Sequence, residues 1–465
     1  MNDRPARPDL PAPSAPPPGA PALLAAERHV WHPFTQMAEW EAEEPLMIAA
    51  GEAEFVIDTA GNRYLDGVSS LWCNLHGHRR PEIDSAVAAQ LQRIAHSTLL
   101  GLGSVPAAQL AERLCRIAPA GLGRVFFSDD GATALEVALK MSFQYWAQNG
   151  RPQRTGFVAF RGAYHGDTLG AAAVGGIDLF HKMFRPLLHP AHFAPAPYCY
   201  RCELSKDPAT CGIACVEEVD RLLAGNPDRI AAVVVEPLVQ GAGGMITAPP
   251  GHLRRLREIT AAHGVHLIAD EVAVGFGRTG TMFACEAEGV APDFLCLAKG
   301  LTAGYLPLAA TLTTEAVYAG FLGRFEDRRT FFHGHTYTGN ALGCAAALAN
   351  LDIFESEPVL ERVRALAERL TARLARLADH PHVGQIRQRG LIVGIELVAD
   401  RADKRPFDWT RRTGMRVCRE ARKHGVIIRP LGDVVVLMPP LSIRPENLDR
   451  LADVTAECIE RVTRG

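Results

Sequence analysis

The stretch VHLIADEVAVGFGRTGTMFACEAEGVAPDFLCLAKG, residues 265–300, holds two short apolar runs that each stop at a chemically active side chain. VHLIAD ends in Asp270 followed by Glu271, and DFLCLAK ends in Lys299. Apolar runs of this length bounded by turns read as buried strands. Ligands of an open α/β sheet bind beyond the carboxyl ends of its strands, so a carboxylate and a lysine at two such ends mark one candidate site.

The same grammar extends outward. RVFFS (124–128), GFVAF (156–160) and AAVVVEP (231–237) read as further buried strands, and helical patterns occupy 132–148, 250–263 and 340–378. Strands alternating with helices predict an α/β fold with a mostly parallel sheet. Beyond residue 380 the pattern changes to VGQIRQRGLIVGIELV, a helix over 410–424, and GVIIRPLGDVVVLMPP, which predicts a smaller α+β unit. FVIDTAGNRYLDG in the N-terminal part reads as a hairpin too small to stand alone, and is expected to join that unit. The expected division is a disordered Pro/Ala-rich tail at 1–26, an N-terminal part of the small domain at 27–75, a large domain at 76–345 and the rest of the small domain at 346–465.

Bulk properties narrow the class. With 465 residues, 48% hydrophobic and 22% charged, the chain is globular in composition and long enough for two or three structural units. A formal charge of −3 gives no basic footprint for nucleic acid or an anionic membrane surface. There is no apolar run of spanning length, so a cytoplasmic protein acting on small molecules is expected.

A third feature lies near the same sheet edge. RVFFS is followed by DDGAT, where Gly131 permits close backbone approach and Ala132 and Thr133 present N–H groups at a helix start, an arrangement suited to phosphate. Taken singly, Asp130 at this turn is an ordinary helix cap, and Lys299 is a lysine extending its stem from a strand end. Taken together, a phosphate anchor, an amine that can condense with an aldehyde and a carboxylate that can hold a pyridine nitrogen are a protein's contributions to pyridoxal 5'-phosphate chemistry.

LIADEVAVGFGRTG followed by DFLCLAKG, with Asp270 and Lys299 spaced as they are, resembles the signature of the class III aminotransferases of fold type I, and the resemblance runs from about residue 27 to the end. HVWHPFTQM (29–37), IAHSTLLG (94–101), FFHGHTYTGN (331–340) and RPLGDVVVLMPP (429–440) are similar to the members of that family acting in biotin synthesis. This likeness implies transfer of an amino group to 8-amino-7-oxononanoate, giving 7,8-diaminononanoate, with S-adenosylmethionine as donor. Lysine as donor, or a 4-aminobutyrate or ω-amino acid substrate, stay open as alternatives.

The resemblance also assigns roles. Lys299 would bond the cofactor and shuttle the proton, Asp270 would pair with the ring nitrogen, Gly131 and Ala132 would bind phosphate, and Tyr164 would stack on the ring. His335 and Thr336, in the HGHT turn, would reach across the interface of a homodimer to complete the partner's phosphate site, and Gly334 beside them would contact substrate. Arg429 would clamp a substrate carboxylate, with Arg278 as a second candidate, and Phe34, Leu71 and Trp72 would wall the substrate pocket. Phe34 and Leu71 stand where tyrosine and tryptophan are common in the family.

YCYRCELSKDPATCGIAC (198–215) gathers Cys199, Cys202, Cys211 and Cys215, a spacing compatible with zinc, with an iron–sulfur cluster or with free thiols in a surface loop. No metal is assigned to the catalytic set. The two H-x-H pairs, at 76–78 and 333–335, are poor two-ligand sites on a strand because alternate residues face opposite ways.

Overall fold

The computed structural model describes residues 20–464. The tail expected over 1–26 therefore lies mostly outside the described residues, but its last part is a correction: Ala20–Glu27 (α1) is helical. APALLAAE contains good helix formers and keeps its one proline in the first turn, where a missing N–H costs nothing.

Next come the strands Ile48–Glu52 (β1), Phe55–Asp58 (β2) and Arg63–Asp66 (β3), joined antiparallel, so FVIDTAGNRYLDG is a hairpin. The large unit follows with Leu122–Ser128 (β4), Gly156–Phe160 (β5), His192–Ala194 (β6), Ile230–Val235 (β7), His266–Asp270 (β8), Phe294–Leu297 (β9) and Ala309–Thr314 (β10). These form one seven-stranded sheet in the order β4-β10-β9-β8-β7-β5-β6. Only β10 runs antiparallel to its neighbours. All six residues of β7 and all five of β8 are buried, which is why these strands lack alternation: helices cover both faces.

Helix Gly131–Gln148 (α2) starts where the sequence signals it. The Asp130 carboxylate accepts from the Thr133 N–H at 2.9 Å, and the Thr133 hydroxyl oxygen accepts from the Asp130 N–H at 3.0 Å. This reciprocal cap fixes the turn that the candidate site uses.

The single helix expected over 340–378 is two, Ala341–Ser356 (α3) and Val359–Leu374 (α4). Glu357 adopts extended backbone because it precedes Pro358, whose ring disfavours a helical predecessor. The domain boundary expected at 345/346 thus falls inside α3. The C-terminal unit contains Val383–Arg389 (β11), Ile392–Leu397 (β12), Val426–Ile427 (β13), Arg429–Leu431 (β14) and Val434–Leu437 (β15). Here β13 pairs with β3, so the N-terminal hairpin and the chain's last quarter share one sheet.

Leu65, fully buried, sits on the β3 edge facing β13 and belongs to the same core as Val426, Leu448 and Leu451. Leu65→Ala is expected to cost about 2–5 kcal/mol, read as a lower urea midpoint at unchanged slope.

Candidate active site

The strand ends converge as the sequence suggests. Asp270 closes β8, Lys299 follows β9 by two residues, and Gly131 opens α2 after β4; a cavity of about 710 Å³ is lined by all three together with Ala132, Tyr164 and Trp72. Lys299 itself has φ +43°, a left-handed conformation that a non-glycine residue adopts only where its surroundings impose it.

Trp72 reaches this cavity through an uncommon backbone turn. Ser69, Ser70, Leu71 and Trp72 all carry positive φ, at 44°, 42°, 67° and 72°. The turn is held by the Asp66 carboxylate, which accepts from the Ser70 N–H and hydroxyl at 2.6 and 2.8 Å, and by the Ser69 hydroxyl donating to the Met438 carbonyl. It sets the Trp72 ring 5.8 Å from the Lys299 amine. Leu71, on the same turn, points away: it is 44% exposed and does not line the cavity, so the structure does not bring it to the site as expected.

The Asp270 carboxylate accepts from His165 Nδ1 at 2.7 Å and from the Val272 N–H at 3.0 Å. Burial alone would leave His165 neutral, but this hydrogen bond and the Asp270 charge outweigh it and push the imidazole pKa up. The Lys299 amine is driven the other way by burial, with Asp270, Glu236 and Cys73 partly opposing the fall. A lysine whose proton is held less tightly is a better nucleophile and base.

Gly131 and Ala132 occupy the first turn of α2, where no intrahelical acceptor exists, and among the described residues their N–H groups make no hydrogen bond. A Cβ added to Gly131 would come within 2.5 Å of Val272 Cγ1. Two backbone donors and a lysine amine that have no hydrogen-bond partner among the described residues, together with a buried carboxylate, fit pyridoxal 5'-phosphate at its phosphate, aldehyde and ring nitrogen respectively.

Tyr164 lines the cavity and donates its hydroxyl to Asp167 at 2.7 Å. Phe34 and Arg429 instead line an adjoining, larger cavity, which meets the first at Ala242. His335 pairs through Nδ1 with Asp129 of its own chain at 2.7 Å, while Gly334 and Thr336 are exposed. Arg278 is a correction. It is 1% exposed and donates to the Pro439 carbonyl at 2.5 Å, the Ser69 hydroxyl at 2.8 Å and the Asn74 carbonyl at 2.9 Å. With those acceptors it is a structural clamp, closed to a substrate carboxylate.

His165, Asp167 and Glu236 were missed by the sequence reading. The first two stand in RGAYHGDT beside Tyr164, and Glu236 follows a buried strand just as Asp270 closes one, so strand-end position was the available signal. Among the described residues, no three His, Cys, Asp or Glu side chains form a group that could hold a metal ion, and the four thiols of 199–215 are free.

Residues 36–459 match the family Aminotransferase class-III. A Geobacter sulfurreducens protein named adenosylmethionine-8-amino-7-oxononanoate aminotransferase is 56% identical over 439 residues, covering 94% of this chain and 97% of its own. The crystal structure of the Methanocaldococcus jannaschii protein of that name superposes with a TM-score of 0.90 at 44% identity, covering 95% of this chain and 99% of its own. A PLP-bound amine transaminase from an uncultivated Pseudomonas species gives a TM-score of 0.88 at 38% identity, covering 93% and 98%.

Arg278→Met is expected to leave the buried Pro439 and Asn74 carbonyls without their donor and cost about 2–4 kcal/mol. Urea unfolding should register that loss, while the KM of the folded enzyme for its carboxylate-bearing substrate stays within about twofold; a large KM rise without destabilisation would restore the clamp reading.

Proposed function

The chain belongs to the class III aminotransferases, which depend on pyridoxal 5'-phosphate, and from that premise we propose that it converts 8-amino-7-oxononanoate to 7,8-diaminononanoate with S-adenosylmethionine as amino donor. The observation that carries the reading is the convergence of Lys299, Asp270 and the free Gly131 and Ala132 amides on one cavity, in a chain 56% identical to a relative named for that reaction. Structures of ω-transaminases superpose at least as well, so sequence likeness rather than fold favours this acceptor.

When bound, the cofactor supplies an aldehyde that takes up amines and a ring that draws electrons from the adjacent carbon. The protein's part is to hold and to move protons. Asp270, oriented by His165 and Val272, presents a carboxylate to the ring nitrogen. Lys299, its proton loosened by burial, would hold the cofactor at its aldehyde end and would carry a proton at its Nζ during turnover. Gly131 and Ala132 would hold the phosphate through their N–H groups. Trp72 and Tyr164 wall the space around the amine and keep water from it.

Arg429 and Phe34 border the outer cavity, where the long substrate's carboxylate would lie, and Arg429 is the group placed to receive it. Thr336 and Gly334, exposed on this chain, would meet a second copy, and His335 anchors their turn to Asp129. The active form is then a homodimer in the cytoplasm, with the small domain built from both chain ends. The Phe34 and Leu71 departures leave the acceptor unchanged but make the donor the point to test.

Purified enzyme supplied with 8-amino-7-oxononanoate should form 7,8-diaminononanoate when S-adenosylmethionine is added; product with lysine alone would replace the donor, and product with neither while 4-aminobutyrate is consumed would replace the acceptor. Lys299→Ala should lower turnover at least about 10⁴-fold and abolish the visible absorbance band of the lysine-linked cofactor.

A further inference from the structure

Glu236 stands one residue past β7, between the Asp270 and Tyr164 segments, and neither the sequence motifs nor the roles above use it. It is 7% exposed, yet lines the same cavity as Lys299. One carboxylate oxygen accepts from the Tyr164 N–H at 2.9 Å and the other from the Gly241 N–H at 2.8 Å. Both oxygens are thus committed to the backbone of two different loops. The first loop carries Tyr164 and His165, and His165 in turn orients Asp270. The second carries Gly241 and Ala242, where the two cavities meet.

We infer that Glu236 is a positioning residue: its carboxyl ties the Tyr164–His165 segment to the Gly241 turn, and so registers the Asp270 partner with the cavity mouth, while placing an acid within electrostatic reach of the Lys299 amine. The inference rests on the transaminase reading, because it concerns how that reaction's lysine and carboxylate are held.

The charged and titratable groups facing Glu236 are Asp270 from β8, His165 from the loop after β5 and Lys299 from the segment after β9; Cys73, from the turn after Trp72, acts on Lys299, and the Tyr164 hydroxyl is turned to Asp167. Burial lifts its pKa to about 7, His165 pulls it down, Asp270 adds to the rise, and the two backbone donors oppose it. The sign follows. Below that value Glu236 is neutral and Lys299 faces the Asp270 charge alone; above it, a second negative charge holds the Lys299 proton more firmly. A neutral replacement therefore lets Lys299 shed its proton at lower pH. The folded-state pKa is also raised above the ordinary carboxyl value of 4.5, so its contribution to stability is complete in acid and lost as pH rises through about 7.

The test is the pH dependence of the rate at which apoprotein takes up pyridoxal 5'-phosphate, followed by visible absorbance, with unfolding in urea as a check on the fold. In Glu236→Gln the profile should move to lower pH by about one unit, and kcat/KM should fall on the order of 100-fold from the displaced Tyr164 segment. Glu236→Asp keeps the acid but shortens its reach, so it should retain the wild-type pH profile while losing uptake rate. A folded Glu236→Gln with an unshifted profile overturns the inference. If that variant does not fold, Glu236→Asp decides: wild-type uptake rate overturns the tie, and a slower rate on an unchanged profile supports it. A wild-type protein that takes up no cofactor would instead overturn the transaminase reading itself.

Discussion

The buried hydrogen bond between Asp270 and His165 is the interaction on which the rest of the site depends. At 2.7 Å, with the carboxylate at the end of a fully buried strand and the imidazole's pKa raised by that carboxylate, it is a hydrogen bond that neither member leaves easily. Removing one partner would strand the other's charge away from water. The sheet therefore delivers a carboxylate in one orientation, and Lys299, from the neighbouring strand, is placed against it by the parallel register that sets Asp270 beside Cys296. Position and electrostatics come from the same two strands: the register that brings the amine near the carboxylate also buries both.

A second constraint comes from outside the large sheet. Arg278 gathers Ser69, Asn74 and Pro439, which lie in the N-terminal segment and the C-terminal unit, around one guanidinium. The four left-handed residues ending in Trp72 persist because that clamp and the Asp66 cap hold them. The wall of the active cavity nearest Lys299 is thus contributed by the small unit, whose sheet joins both chain ends.

Residues whose role follows from strand position were legible in the sequence. Asp270, Lys299 and the Gly131 turn sit where a period of buried runs ends, and the structure puts them on one cavity. The hairpin at 55–66 and the five strands were legible for the same reason, since apolar runs and turn residues are local signals, but β4 is only partly buried, with Arg124 exposed and Val125 and Phe126 half-buried. Arg278 was misread because GFGRTG gives its identity but not the acceptors that surround it, and all three of these, from Ser69, Asn74 and Pro439, lie more than 160 positions away. His165 and Glu236 were passed over because their value lies in what they hold, a partner visible only once loops from different strands are folded together. Helix 340–378 was drawn too long because Ala/Leu periodicity outweighed one Glu-Pro step.

The cysteine-bearing loop shows the same division between what spacing suggests and what contacts decide. Its cysteines make no metal-holding group among the described residues; its anchors are the aromatic and charged residues beside Cys199 and Cys202. Tyr198 donates its hydroxyl to Glu396, and Arg201 donates to the same carboxylate at 2.6 Å, while Arg387 reaches it at 2.5 Å from the neighbouring strand. Lys404 donates to the Tyr200 carbonyl and lies 4.8 Å from its ring. Two guanidiniums on one largely buried carboxylate leave a net positive charge, and Arg201 and Glu396 both line the outer cavity that Arg429 borders. The loop therefore joins the large unit to the small one at the rim of the substrate space. Its dense cysteines occupy a segment already fixed by aromatic and charged contacts, which explains how free thiols can be packed closely there without carrying the fold.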